Sequence, residues 1–287
     1  MTIQRVGVVG CGLMGAGIAE VCARAGCDVT VREVEPALAE RGRERIEQSL
    51  ARAVHSGKLP DDERDAVLSR LAFTTDLGEM ADRQLVIEAV VESEPAKIEV
   101  FALLDKVIED PAAILASNTS SIPIMKLAMA TQRPASVIGM HFFNPVPVMR
   151  LVEMVTSLLT SPETRAAADS FAADVLRKRV IDSQDRAGFI VNSLLIPYLL
   201  SAIRMLESGF ATREDIDAGM VEGCNHPMGP LALCDLIGLD TTMAVAEVMY
   251  EEFREQLYAP PPLLSRMVDA GLLGRKAGRG FYEYTRT

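Results

Sequence analysis

Tryptophan is absent from this 287-residue sequence, and acidic residues outnumber basic ones by 40 to 29. The net charge of −11 at pH 7 argues against a nucleic-acid binder, which needs a basic field. No apolar run reaches the roughly 18 residues of a membrane span, and no signal-peptide pattern opens the chain. We therefore expect a cytoplasmic protein whose partners include neither a membrane nor a nucleic acid.

Cysteine and histidine are also scarce, with five and three residues. The cysteines form no CxxC pair and are odd in number, which is unlike a zinc site or a disulfide framework. We interpret them as small buried hydrophobic residues and predict no metal site. They are Cys11, Cys22, Cys27, Cys224 and Cys234.

Apolar residues make up 49% of the chain, which is long enough for two domains. Short apolar runs alternate with helical patterns up to about residue 183, and this predicts a Rossmann-type, doubly wound, mainly parallel α/β sheet. A pair of charged helices interrupts the alternation as a helical excursion that we expect to project from the sheet. The predicted strands are 6–9, 28–31, 71–74, 85–88, 113–117, 137–140, 149–155 and 180–183, and the predicted helices include 36–56, one starting at 60, 95–109 and 163–177.

The pattern changes near residue 186, so we predict an α/β domain at 1–186 and a smaller all-α C-terminal domain at 187–287. The predicted helices of the second domain are 189–206, 213–222, 229–253 and 263–270. The helix at 189–206 is apolar nearly all round, with Pro197 inside it. We expect it to be kinked, and to be buried by its own domain and by a second subunit.

Residues 4–33 carry the most informative pattern: a strand, a G-x-G-x-x-G loop, a helix, a second strand and an acid. Gly10 permits the tight turn, Gly12 lets the backbone approach a pyrophosphate, and Gly15 lets the helix pack on the sheet. The start of the helix favours the phosphate charge. This order predicts a bound dinucleotide.

Glu33 ends that unit and bears on which dinucleotide binds. Its carboxylate can accept hydrogen bonds from both ribose hydroxyls of NAD and would repel a 2′-phosphate. The neighbouring Arg32 can instead pair with a 2′-phosphate. NAD is therefore predicted, with NADP left open, and Leu13 and Met14 of the loop complete the predicted cofactor-binding set at this end.

Polar residues follow two predicted strands, at the sheet edge where cofactor and substrate should meet. The run S-N-T-S-S at 117–121 either caps the next helix, through Ser121, or contacts a substrate. His141 directly follows the strand 137–140 and is either structural or a general base, since imidazole titrates near neutral pH.

Glu153 lies inside an apolar strand, where a carboxylate is costly unless it is paired. Pro145 and Pro147 break the chain between the two strands, so Glu153 can return beside His141 and fix its tautomer. The alternative is a surface pair between Glu153 and Arg150.

Three further residues have both a structural and a functional interpretation. Asn192 is the odd polar residue of the apolar helix, and its amide bonds either helix backbone or a substrate. Lys58 and Lys97 are cations of the nucleotide domain, and each is either a solvated lysine or a ligand contact.

At these motifs the chain resembles the 3-hydroxyacyl-CoA dehydrogenase family, most closely its small bacterial 3-hydroxybutyryl-CoA dehydrogenases. The motifs span nearly the whole chain, and H-F-F-N-P followed by L-V-E is the most specific of them. They read V-G-V-V-G-C-G-L-M-G-A-G-I-A, S-N-T-S-S, G-M-H-F-F-N-P-V-P-V-M-R-L-V-E, G-F-I-V-N, N-H-P-M-G-P-L-A-L-C-D-L-I-G-L-D and G-R-K-A-G-R-G-F-Y.

The resemblance implies an oxidoreductase that interconverts (S)-3-hydroxyacyl-CoA and 3-ketoacyl-CoA with NAD or NADP, as in fatty-acid β-oxidation or butanoate metabolism. His141 would remove the 3-hydroxyl proton and Glu153 would orient it. Ser120 and Asn192 would hydrogen-bond the substrate oxygen.

The resemblance also implies cofactor, substrate and subunit contacts. Ser120, Asn144, Glu92 and Lys97 would lie against the cofactor, the last two on the nicotinamide ribose side. Lys58 would contact the CoA, and the helical domain would form a homodimer.

Two other functions stay open on the sequence. One is a dehydrogenase that uses the same catalytic set on a free 3-hydroxy acid or sugar acid. The other is a non-enzymatic NAD-binding structural protein.

Overall fold

The computed structural model describes residues 3–284, in two compact units that meet between Arg186 and Ala187 in the chain. The first unit is built on one sheet. Its strands are β1 (Arg5–Val9), β2 (Asp28–Arg32), β3 (Leu71–Thr74), β4 (Leu85–Glu88), β5 (Ile114–Ser117), β6 (Val137–Phe142), β7 (Leu151–Thr156) and β8 (Arg179–Gln184).

The strands lie in the order β3-β2-β1-β4-β5-β6-β7-β8. Neighbouring strands are parallel except β6 and β7, which are antiparallel. The order reverses its direction between β1 and β4, and this switch point is where doubly wound sheets bind their ligands. The predicted Rossmann-type fold is therefore confirmed.

Apolar strands and helices on both faces account for this sheet. All four residues of β4 are buried, which is typical of a parallel strand covered on both faces. The helices of the first unit are α1 (Leu13–Arg24), α2 (Pro36–His55), α3 (Asp61–Ser69), α4 (Glu94–Val107), α5 (Ile124–Ala128) and α6 (Pro162–Ser170), which continues as a π-helical turn over Phe171–Val175.

The excursion formed by α2 and α3 packs against the domain instead of projecting from it, so that prediction is wrong. Ile46 and Leu50 of α2 are fully buried in the same core as Ile18 of α1. The reason is an apolar stripe along an otherwise charged helix, where Ala39, Gly42, Ile46 and Leu50 are three or four residues apart and share one face.

The second unit contains only helices as its regular elements among the described residues. A separate core is formed by side chains such as Leu199, Leu231 and Met249. The predicted helix 229–253 is two helices, because Gly238 adopts a φ of +104° between them. The helices are α7 (Val191–Glu207), α8 (Arg213–Cys224), α9 (Pro230–Ile237), α10 (Leu239–Phe253) and α11 (Pro262–Asp269).

Helix α7 starts two residues later than predicted, because Gly188 and Phe189 both have positive φ values. Nor is it buried all round: Ile196 and Leu199 are buried, but Leu194 is 73% exposed. An apolar side chain thus stays open to solvent on this helix.

Four of the cysteines are buried, as predicted, whereas Cys224 is exposed at the end of α8. Its place on the last turn of a surface helix, outside any apolar stripe, explains the difference. No helix within residues 3–284 is long and apolar enough to cross a membrane.

Candidate active site

The glycine loop connects β1 to α1 at the switch point of the sheet. Gly10 has a φ of +92°, and a Cβ there would lie 2.7 Å from the carbonyl oxygen of Ala89. A Cβ on Gly15 would overlap the carbonyl group of Gly10. Both positions therefore require glycine, one for the turn and the other for the approach of α1 to the turn.

Gly12 is different, since a Cβ there would meet no atom within 4 Å. It is the N-cap of α1, whose first turn contains no acidic residue. The open space beside a helix N-terminus fits the pyrophosphate of a dinucleotide, because free N–H groups and the helix dipole both favour an anion there. Leu13 and Met14 form the first turn and remain at least partly exposed.

Glu33 lies beside this loop. Its Oε1 accepts the Cys11 N–H at 2.5 Å and its Oε2 accepts the Val34 N–H at 3.1 Å. The Arg32 Nε donates to the Thr75 carbonyl at 3.4 Å, on the side of β3. The carboxylate at the end of β2 therefore contacts the glycine loop directly.

His141 and Glu153 face each other across β6 and β7. The antiparallel register pairs the two residues, and His141 Nδ1 lies 2.7 Å from Glu153 Oε2. Both side chains are buried, so the alternative of a surface pair between Glu153 and Arg150 does not occur. The turn that contains Pro145 and Pro147 returns the chain to this register.

Strand β6 is longer than predicted, so His141 lies within it and does not follow it. The strand continues because Phe142 pairs with Val152, while its N–H donates to Asn118 Oδ1 at 2.9 Å. The loop after β5 thus covers the end of β6.

Ser120, on that loop, contacts the other ring nitrogen. Its Oγ lies 3.1 Å from His141 Nε2. A carboxylate accepts a hydrogen bond, so Glu153 assigns the proton of the neutral ring to Nδ1. The lone pair is then on Nε2, where the Ser120 hydroxyl can donate to it.

The loop at 117–121 does not cap a helix through Ser121. Asp185 takes that role, since its two carboxylate oxygens accept the N–H groups of Ile124 and Met125, each at 2.7 Å. Burial raises the pKa of Asp185, an effect opposed by these two hydrogen bonds. A capping residue 61 positions away in sequence has no local signal.

Glu92 binds the loop instead. Its Oε1 accepts the Thr119 hydroxyl at 2.6 Å, the Ser120 N–H at 2.8 Å and the Ser121 N–H at 3.2 Å. One carboxylate oxygen therefore gathers three successive residues of the loop.

Lys97 lies behind Glu92 and is fully buried. Its Nζ is 2.6 Å from Glu88 Oε1 and 3.3 Å from Glu92 Oε2. The ammonium is thus enclosed between two carboxylates and not presented at the surface. Sequence reasoning missed Glu88, although an acid that ends the apolar run L-V-I-E could have drawn attention to it.

The remaining predicted residues lie in other places. Asn144 is exposed and lines a cavity of about 130 Å³ together with Leu13, Glu20 and Arg52. Lys58 is exposed on the turn between α2 and α3. Asn192 belongs to the second unit, where it is half-buried in the first turn of α7.

Comparison with known proteins shows the family of this chain. The NAD-binding domain of 3-hydroxyacyl-CoA dehydrogenase matches residues 5–186, and the C-terminal domain of the same enzymes matches residues 188–284. The chain belongs to the 3-hydroxyacyl-CoA dehydrogenase family. It is therefore an oxidoreductase with an NAD-binding domain, and the predicted resemblance is confirmed.

Similar proteins cover nearly the whole chain. It is 62% identical over 282 residues to the 3-hydroxybutyryl-CoA dehydrogenase of Mycobacterium tuberculosis, which covers 98% of this chain and 99% of the relative. A probable 3-hydroxybutyryl-CoA dehydrogenase of Deinococcus radiodurans is 48% identical, covering 98% of this chain and 100% of its own.

Solved structures agree with the sequence matches. The crystal structure of M. tuberculosis FadB2 superposes with a TM-score of 0.98 at 61% identity, covering 99% of this chain and 100% of that one. The (S)-3-hydroxybutyryl-CoA dehydrogenase PaaH1 from Ralstonia eutropha superposes with a TM-score of 0.94 at 44% identity, with the same two coverages of 99% and 100%.

Proposed function

We propose that this protein interconverts (S)-3-hydroxybutyryl-CoA and acetoacetyl-CoA with NAD as its cofactor. The observation that carries the proposal is the buried pair of His141 and Glu153, with Ser120 against the other ring nitrogen, in a sheet whose switch point is built for a dinucleotide. The names of the similar proteins supply the substrate class.

The proton transfer is assigned to His141. Nε2 takes the proton of the 3-hydroxyl group during oxidation and returns it during reduction. Glu153, 2.7 Å from Nδ1, stabilises the imidazolium that forms and keeps the ring in one orientation. Bound NAD supplies the hydride acceptor, and NADH the donor.

Ser120 is assigned to the substrate oxygen. Its hydroxyl lies 3.1 Å from Nε2, so a substrate oxygen that approaches Nε2 also comes within reach of Ser120. A donor placed there stabilises alkoxide character at C3. On the resemblance alone, Asn192 is assigned to the same oxygen, Asn144 to the cofactor and Lys58 to the CoA.

Glu92 and Lys97 are assigned to the nicotinamide ribose side of the cofactor in different ways. The Glu92 side chain is 37% exposed and can contact a ribose directly. Lys97, whose side chain is only 1% exposed, acts there through Glu92.

NAD is assigned in preference to NADP. The Glu33 carboxylate is fixed by two N–H groups beside the glycine loop, where it would repel a 2′-phosphate. The Arg32 guanidinium is directed to the Thr75 carbonyl on the other side.

Initial rates test the proposal. We expect reduction of acetoacetyl-CoA with NADH to exceed reduction with NADPH, and free acetoacetate to be a far poorer substrate. Turnover of acetoacetate as fast as of acetoacetyl-CoA would contradict the CoA assignment. NADH binding without turnover of any 3-ketoacyl-CoA would contradict an enzymatic role.

A cytoplasmic location remains an expectation from the sequence. The proposal also includes a homodimer that forms through the helical domain. Leu194, an apolar side chain near the start of α7, is 73% exposed. Leu194→Glu should shift the protein to monomer in size-exclusion chromatography with light scattering. Leu158→Glu, which changes a 94% exposed leucine of the first unit, is the matched control and should leave the dimer intact.

A further inference from the structure

We propose that Glu88 is a positioning residue for the catalytic hydroxyl of Ser120, acting through Lys97 and Glu92; the inference rests on the proposed function. Glu88 is the last residue of β4 and is fully buried. It pairs with Val9, the last residue of β1, directly before the glycine loop.

Both carboxylate oxygens of Glu88 are engaged. Oε1 accepts the Val90 N–H at 2.7 Å and pairs with Lys97 Nζ at 2.6 Å. Oε2 accepts the Ser117 hydroxyl at 2.7 Å. The side chain therefore ties together the ends of β4 and β5 and the helix that carries Lys97.

Lys97 passes this constraint to Glu92. Its ammonium is the bridge between the two carboxylates, at 2.6 Å from one and 3.3 Å from the other. Without Glu88, the ammonium would have a single acidic partner and would be drawn toward Glu92. The position of Glu92 thus depends on the balance between two ion pairs.

Glu92 in turn sets the loop. Its Oε1 accepts the Ser120 N–H at 2.8 Å and the Thr119 hydroxyl at 2.6 Å, while Ser120 Oγ lies 3.1 Å from His141 Nε2. The polar chain from Glu88 to His141 is therefore continuous.

Stability alone does not account for such a pair. Burying two charges costs desolvation energy that their attraction only roughly offsets, and an apolar pair of similar volume is often as stable. A hydrogen-bonded ion pair does restrict geometry, and catalysis is sensitive to displacements of about 1 Å. We therefore assign the pair to the placement of Ser120.

A double-mutant cycle tests this assignment. Glu88→Gln should lower kcat for acetoacetyl-CoA roughly 10- to 100-fold, as expected when a catalytic group is displaced by about 1 Å, with a smaller change in the Kd of NADH. In a Ser120→Ala background, Glu88→Gln should have almost no further effect on kcat. The inference would be overturned if Glu88→Gln lowered kcat by the same factor in the Ser120→Ala background as in the wild-type protein. It would also be overturned if Glu88→Gln weakened NADH binding as much as it lowered kcat.

A second readout does not depend on turnover. The chain has three histidines, so selective ¹⁵N labelling resolves the ring nitrogens of His141. We expect Glu88→Gln to move the Nε2 chemical shift toward its value in Ser120→Ala, in enzyme without substrate. An unchanged Nε2 shift would overturn the inference. If wild-type protein fails to reduce acetoacetyl-CoA, the proposed function falls, and this measurement still decides the positioning role.

Two further variants complete the design. Ser117→Ala removes the hydroxyl that donates to Glu88 Oε2. It should change the Nε2 chemical shift and kcat in the same direction as Glu88→Gln, but by a smaller amount. This variant keeps the test available if Glu88→Gln does not fold. Asp105→Asn is the matched control, because Asp105 lies on α4, the helix that carries Lys97. The substitution breaks a partly buried ion pair in which Asp105 lies 2.9 Å from Arg133. It should leave kcat and the His141 signals unchanged.

Discussion

His141 Nδ1 and Glu153 Oε2 lie 2.7 Å apart, as directly paired residues of the one antiparallel strand pair in the described sheet. A carboxylate buried in an apolar strand thereby gains a partner, and an imidazole gains a fixed orientation. Removing either side chain breaks this contact between the two buried groups.

Glu153→Gln should lower kcat for acetoacetyl-CoA reduction by roughly 100-fold or more, because an amide can no longer stabilise the imidazolium. His141→Gln should be at least as severe. Steady-state kinetics with saturating NADH measures both. Glu99→Gln, an exposed acid on α4, is the control for loss of one negative charge. Near-normal turnover in Glu153→Gln would show that the acid–base assignment is wrong.

Cofactor preference should follow the Glu33 carboxylate. Glu33→Gln removes the repulsion of a 2′-phosphate, so kcat/KM with NADPH should rise about 10-fold or more relative to NADH, as expected for 1–2 kcal/mol. Arg32→Ala is the companion variant, and it should leave the NADH rate unchanged. A fall in NADPH use in Arg32→Ala, without any gain in Glu33→Gln, would instead assign phosphate recognition to the arginine.

The contact between α2 and the glycine loop should tolerate no side chain at position 42. A Cβ on Gly42 would lie 2.7 Å from Cys11 Cβ and even closer to its sulfur. Gly42→Ala should therefore lower the free energy of unfolding by about 1–3 kcal/mol and weaken NADH binding. Urea denaturation and NADH titration measure the two effects.

Gly219→Ala provides the control for that substitution. Gly219 lies inside α8, and a Cβ there meets no atom within 4 Å. Alanine should stabilise the helix by about 0.5–1 kcal/mol. Equal effects of the two substitutions would contradict the contact between Gly42 and Cys11.

Lys178 should make the free energy of unfolding vary with pH in the alkaline range. Its Nζ donates to the carbonyls of Val146 and Met149 at 2.6 and 2.7 Å, and burial lowers its pKa from 10.5. Between the lowered folded pKa and 10.5, the unfolded chain binds more protons than the folded chain, so the contribution of Lys178 to stability rises with pH.

Lys178→Met should cost about 1–3 kcal/mol at pH 7, because two buried carbonyls lose their donor. The deficit relative to wild type should widen as pH rises toward 10.5, in denaturation curves recorded at several pH values. Lys126→Met, which changes an exposed lysine, should show no such trend. A deficit that narrows with pH would contradict the expected direction.

Much of the fold could be predicted because its signals are local. The strands at Leu71–Thr74 and Leu85–Glu88 agree with the predicted bounds, since short apolar runs between turn residues define them. Errors arose where a distant partner decides an element. Helix α5, Ile124–Ala128, was not predicted, and its first N–H groups are capped by Asp185.

The candidate site divides in the same way. The glycine loop, Ser120, His141 and Glu153 stand out as unusual residue types at strand ends or in apolar surroundings. Glu88 is the last residue of β4 and Glu33 directly follows β2, so the two acids have similar places in the sequence pattern. Only the fold puts Glu88 in a buried ion pair and Glu33 beside the glycine loop. The position of an acid at the end of a strand does not by itself fix how exposed its side chain is or which group it pairs with.

The sequence by itself determined the family, the dinucleotide loop and the residue types available for proton transfer, because these depend on local spacing and side-chain chemistry. Only the tertiary structure decided that Lys97 is enclosed between Glu88 and Glu92, and that Ser120 lies against His141. Those contacts join residues from separate strands and loops, and their distances follow from strand order and register, which no local pattern contains.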